Sequence, residues 1–140
     1  MGLNEESFLA SVQLARLNQR LNRRLDQHLR PLGLRRGQHA LLLAIQDRSP
    51  VSLTDLARVL EVDKAAVSRG VASCERQGWV RTEFAPQSVK TRAVCLTPGG
   101  ARLADKIRAA LQRVEADLRH EISASLYQAL ITEPVETGKM

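Results

Sequence analysis

Residues 52 to 97 read SLTDLARVLEVDKAAVSRGVASCERQGWVRTEFAPQSVKTRAVCLT, and this stretch decides the fold. Ser52 is placed to cap the free N–H groups of a helix, and Asp55 three residues on completes a capping box. Leu53, Leu56, Ala57 and Leu60 follow at helical spacing. Glu61-Val62 supplies a turn. Asp63 caps a second helix, where its charge suits the positive end of the helix dipole. On that helix Val67, Val71 and Cys74 share one face, which should pack inward. Lys64, Ala65, Ser68, Arg69, Ala72, Ser73 and Arg76 share the other. Gly78 suits the left-handed residue that ends a helix. A strand from Trp79 to Phe84, a turn at Pro86-Gln87-Ser88 and a returning strand at Ala93–Leu96 complete the unit.

Helix, turn, helix, strand, basic loop and strand, in that order, make a winged helix-turn-helix. In such a module the second helix enters the major groove of DNA. The candidate DNA contacts are Ser52, Thr54, Lys64, Ala65, Ser68, Arg69, Ser73 and Arg76 on the helices, with Lys90 and Arg92 on the ribbon. Small residues beside donors let a backbone approach a groove floor. Arg69 has the donors for a bidentate contact to guanine, or for a phosphate. Lys90 and Arg92 suit phosphates or the minor groove.

The rest of the chain fits a partner of this kind. It has 140 residues, enough for one domain with a core, and a formal net charge of +6. The sequence pI is about 10.1. A basic domain rich in arginine suits a polyanion. Aromatic residues are only 3% of the chain, so the core must rest on Leu, Val, Ala and Ile. The longest apolar run, Ala40 to Ile45, is too short to span a bilayer, so the expected compartment is the cytoplasm, with no membrane partner. No phosphate loop, G-x-S-x-G, H-E-x-x-H or dinucleotide fingerprint is present. No enzyme activity, catalytic residue or cofactor is expected. Cys74 and Cys95 lack metal-type spacing, and His28, His39 and His120 stand far apart, so no metal is expected either.

Outside the head, a helix over residues 5–31 carries an apolar stripe of Phe8, Val12, Ala15, Leu17, Leu21, Leu25 and Leu29. Pro31 and Gly33 end it. A helix from Arg36 to Asp47 is apolar nearly all round and should form the buried centre. After the ribbon, Thr97 caps a helix and Pro98 takes its first position. Leu103, Ile107, Leu111, Val114, Leu118, Ile122, Leu126 and Leu130 then recur mostly every four residues, with a break expected near Glu121–Ser123. Stripes of this length need a cover. The two helices of one chain can cover each other, or a second copy can cover both. The second copy is the expectation, because paired heads match palindromic sites.

The run LTDLARVLEVDKAAVSR, ERQGWVRTE and TRAVCLTPGGARL resembles the MarR family of bacterial regulators. The likeness extends from about Leu14 to Leu130. Leu-Ala at 56–57, Val-Asp-Lys at 62–64, Val-Ser-Arg at 67–69, Gly78 and Leu-Thr-Pro-Gly-Gly at 96–100 stand in family order. Gly70 stands where the family usually has an apolar residue, Ala72-Ser73 where it often has Asp-Arg, and Ser88-Val89-Lys90 where it often has Asp-x-Arg. The resemblance implies a dimeric winged-helix repressor or activator, often relieved by a small molecule. The expected architecture is mainly α with a two-stranded β wing: a single domain over 1–140, with a DNA-binding core at 34–97 and dimerisation helices at 5–31 and 98–131. A small anionic aromatic effector is expected beside Arg16, Arg20, Arg36 and His39, where cationic or polar groups meet a Leu-rich wall. Two other readings stand beside this one: a non-specific architectural DNA-binding protein, and a redox-responsive regulator using Cys74 and Cys95.

Overall fold

The structure, a computed structural model, describes residues 9–84 and 92–132. In chain order its elements are α1 (Ala10–Leu29), a 3-10 turn (Arg30–Leu32), α2 (Gln38–Arg48), β1 (Val51–Ser52), α3 (Leu53–Leu60) and α4 (Lys64–Arg76). They continue with β2 (Val80–Phe84), β3 (Arg92–Leu96), α5 (Pro98–Glu121) and α6 (Ala124–Thr132). The expected stripe residue Phe8 lies outside the described residues. The chain forms two compact units: residues 29–109, and residues up to 28 together with those from 110 on.

The first unit holds the helix-turn-helix and the ribbon. α2 begins two residues later than the sequence suggests, because Gly37 stands at φ 88°, outside helical geometry. Leu42 and Ile45 of α2, Leu56 of α3, Cys74 of α4, Val94 of β3 and Ile107 of α5 are fully buried. Each large aliphatic side chain among them contributes about 1.5–3 kcal/mol by leaving water. The ribbon gains a third strand beyond the two expected. Val51 and Ser52 pair antiparallel with Val94 and Ala93, giving the strand order β1-β3-β2. Ser52 therefore ends a strand and caps a helix at once. Its Oγ accepts from the Asp55 N–H at 3.0 Å.

The sharp turn before α4 is made by Glu61 in a left-handed conformation, φ 56°. Asp63 Oδ1 then accepts from the Ala66 N–H at 2.7 Å and starts α4. At the far end Gly78 takes φ 80°, and the Trp79 N–H closes the last turn on the Cys74 carbonyl at 3.0 Å. Thr97 joins the ribbon to α5: its hydroxyl donates to the Gly78 carbonyl at 2.6 Å and accepts from the Gly100 N–H at 3.0 Å. Gly100 is required there by contact, since a Cβ would lie 1.9 Å from the Trp79 carbonyl oxygen. The first turns of α5 belong to this unit, beyond the expected limit at residue 97. Arg108 holds Asp47 at 2.7 Å and Gln46 at 2.8 Å.

The second unit is built from α1, the last part of α5, and α6. Arg24 pairs with Glu121 at 2.6 Å, and His28 Nε2 lies 3.3 Å from Asp117. The Tyr127 hydroxyl donates to Glu115 at 2.7 Å, with the Arg119 guanidinium 5.0 Å from the ring centre. The break between α5 and α6 falls where the sequence suggests, and Ser123 caps α6 by accepting from the Leu126 N–H.

Candidate nucleic-acid interface

The reading helix α4 divides cleanly. Val67, Val71 and Cys74 are buried. Lys64, Ala65, Ser68, Arg69 and Arg76 are exposed. Five residues at spacings of one and three to seven thus form one outward stripe, because 3.6 residues complete each turn. Among the described residues Lys64, Arg69 and Arg76 have no ion-pair partner, whereas Arg58 is held by Asp55 at 2.9 Å. The unpaired cations of α4 therefore face water, ready for an external anion. Thr54 is exposed at the start of α3.

Two sequence candidates sit differently from the rest. Ser52 is half-buried and commits its hydroxyl to the α3 cap. Ser73 is also half-buried, and Gln38 of α2 donates to its Oγ at 3.4 Å. Lys90 lies outside the described residues.

Arg92 stands at the start of β3, directly across from Phe84. Its Nη2 donates to the Thr82 hydroxyl at 2.8 Å, and that hydroxyl donates to Glu75 of α4 at 3.2 Å. The guanidinium also lies 6.0 Å from the Phe84 ring centre. Glu75, Thr82 and Phe84 were not evident as site residues in the sequence. The signal existed in the strand period, because residues 80, 82 and 84 share a face. Their partner on β3 depends on the ribbon register, which the sequence alone leaves open.

The four ligand candidates are divided. Arg16 and Arg20 line a groove of about 410 Å³ in the second unit, with Leu14, Leu17, Ile122 and Leu126. Arg36 lines a pocket of about 360 Å³ in the first unit, with Leu41, Leu60 and Val67. His39 lines neither. It is half-buried, its Nδ1 is buried without a hydrogen-bond partner, and burial holds its pKa below the ordinary value. Arg16 and Arg20 thus line a groove of one unit, and Arg36 a pocket of the other. The cysteines are free and buried, and burial pushes the Cys74 thiol up to about 11. No group of three or more potential metal ligands occurs among the described residues. No helix among them is long and apolar enough to cross a membrane.

The family model for MarR proteins matches residues 32–88, the part of the chain that holds this reading helix. The multiple antibiotic resistance protein MarR of Escherichia coli is 29% identical over 130 residues, covering 90% of this chain and 88% of that protein. The chain thus resembles MarR-family proteins over most of its length. Its backbone follows a cysteine-to-serine mutant of Escherichia coli MarR in complex with operator DNA, with a TM-score of 0.81 and 25% identity over 92% of this chain and 93% of that one. The fold is shared more widely. BpsR of Bordetella bronchiseptica has a TM-score of 0.81 at 20% identity, over 89% of each chain. These likenesses are to winged-helix transcriptional regulators.

Proposed function

We propose that this chain is a MarR-family protein, a homodimeric, sequence-specific DNA-binding repressor that docks on a pseudo-palindromic operator and is released by a small ligand. The observation that carries the reading is the exposed stripe of α4. Lys64, Ala65, Ser68, Arg69 and Arg76 present cations and small side chains on a helix whose opposite face is buried. The backbone likeness to a MarR relative bound to operator DNA supports it. In this reading Arg69 takes a guanine edge or a phosphate, Lys64 and Arg76 take phosphates, and Thr54, Ser68 and Ala65 lie at the groove. Arg92 grips backbone from the ribbon. Ser52 and Ser73 shape the site through the bonds they already make. The protein acts in the bacterial cytoplasm, at the nucleoid, and performs no catalysis.

The dimer is supported by apolar surface. Leu14, Leu126, Leu130 and Ile131 are exposed on α1 and α6, and contiguous apolar surface marks an association site. The terminal helices, α1 together with α5 from residue 110 on and α6, act as the dimerisation helices. The groove beside Arg16 and Arg20 suits a small anionic aromatic effector, because it is apolar with two cations at its wall. Redox control is disfavoured by the burial of Cys74 and its raised thiol pKa.

Selection of bound duplexes from a random DNA pool at fixed salt tests the proposal. A palindromic consensus with half-sites about one helical turn apart supports it. Recovery of fragments with no preferred sequence supports an architectural DNA-binding protein and overturns it.

A further inference from the structure

We infer that Thr82 is a positioning residue for DNA binding: its hydroxyl, anchored by Glu75 of the reading helix, holds the Arg92 guanidinium in place on the wing. The inference rests on the DNA-binding reading given above and assigns a role to a residue that touches no DNA itself.

Three observations converge on this role. The hydrogen bonds run in one direction. Arg92 Nη2 donates to the Thr82 hydroxyl at 2.8 Å, and the hydroxyl has one proton to give, which goes to the Glu75 carboxylate at 3.2 Å. A hydroxyl that donates to a carboxylate is a better acceptor, so the two bonds reinforce each other. The ribbon register favours the contact: Phe84 pairs with Arg92, and Thr82 pairs with Val94 two residues further along. Thr82 and Arg92 are thus diagonal neighbours on one sheet face, a separation that a long side chain spans. The Phe84 ring borders the guanidinium on another side, at 6.0 Å, near the outer limit of a cation–π contact.

An exposed arginine ordinarily explores many rotamers, and a binding partner must freeze it. Here the freezing is done before binding, by groups of the protein. The anchor matters as much as the hold. Glu75 lies on α4, so the wing cation is referenced to the reading helix rather than to the ribbon alone. A ribbon that flexes away from α4 stretches this chain, and Arg92 and α4 therefore meet DNA as one surface. Arg81, the other ribbon arginine, is engaged differently: its Nε lies 3.6 Å from Glu83, a carboxylate on the same strand.

The test is a double-mutant cycle on one labelled duplex, the sequence that wild-type protein recovers from a random pool. Thr82→Val keeps the shape and removes the hydroxyl; Arg92→Ala removes the cation. Thr82→Val should weaken binding by about three- to tenfold in the wild-type background, the loss expected when one long side chain must be ordered on binding. In the Arg92→Ala background it should change affinity by less than about twofold, because no guanidinium remains to be held. Thr82→Ser should restore wild-type affinity, and thermal melts should match across the set. An equal loss in both backgrounds, or no loss in either, overturns the inference while leaving the DNA-binding reading intact. Failure of wild-type protein to hold any duplex overturns both.

Discussion

The two compact units treat their apolar residues in opposite ways. In the head, the core finds its partners within the chain: Leu42, Ile45, Leu56, Cys74, Val94 and Ile107 have no more than trace exposure. In the unit built from the terminal helices, nothing from Leu9 to His28 is buried, although α1 carries a full apolar stripe. From residue 110 on, Val114 and Tyr127 alone are buried among the described residues. Leu14 is 65% exposed and Ile131 55%. A helix stabilised mainly by burial of one face cannot rely on water to cover it. The head therefore buries its core within one chain, whereas the described part of the terminal helices leaves apolar surface that, in the proposed reading, a second copy covers.

The sharpest way to break the head is at Gly100. Gly100→Ala drives a Cβ into the Trp79 carbonyl, which is backbone and has no rotamer to escape to. The expected cost exceeds about 3 kcal/mol, the upper range for overpacking, read as a fall in the denaturant midpoint.

A charge on the other unit should act on assembly instead. Leu14→Glu with Leu126→Glu changes surface that one chain leaves in water, so the head should stay folded. Light scattering should then report the 15.5 kDa chain mass, where wild type reports twice that. A double variant that remains dimeric would remove the terminal helices from the interface.

Within the head, function and folding should separate on α4. Arg69→Ala, on the exposed face, should cost about 1–3 kcal/mol of DNA affinity per half-site and relax one base position. Its melting temperature should match wild type. Unchanged affinity and consensus would disqualify the stripe as the reading surface.

Gly70→Ala should strengthen the head. The added Cβ meets Leu41 Cδ2 at 3.1 Å, but Leu41 borders an open pocket and can shift. Replacing glycine inside a helix gains up to about 1 kcal/mol, visible as a higher denaturant midpoint.

The smallest effect is acid sensitivity confined to the head. Burial lowers the His39 pKa below 6.5, so the unfolded chain binds the proton more readily than the folded one. Stability from this group is complete above pH 6.5 and declines as pH falls through the lowered value. Denaturation midpoints followed against pH should show this slope in wild type and lose it in His39→Gln.

Local features were legible because their causes are local. The caps at Ser52, Asp63 and Thr97 act over three residues, and the faces of α4 follow from a period of 3.6. The split at Glu121–Ser123 and the left-handed Gly78 are of the same kind. The start of α2 differs from the periodicity by two residues because Gly37, not the apolar run, sets its first turn. Which cavity each arginine lines is the least legible part. Cationic spacing along a sequence says nothing about which cavity an arginine lines, and the chain assigns Arg16 and Arg20 to one and Arg36 to another.

The sequence by itself determined the order of elements, the inward and outward faces of the reading helix and the basic character of its surface, since each depends on neighbours within a turn or on composition. Tertiary structure alone decided the pairing of Val51–Ser52 with β3, the approach of Gly100 to Trp79 and the link from Arg92 through Thr82 to Glu75. These join residues brought together by strand register and by the path of connecting loops. No periodicity encodes such contacts, because they exist only once the whole chain has settled into one packing.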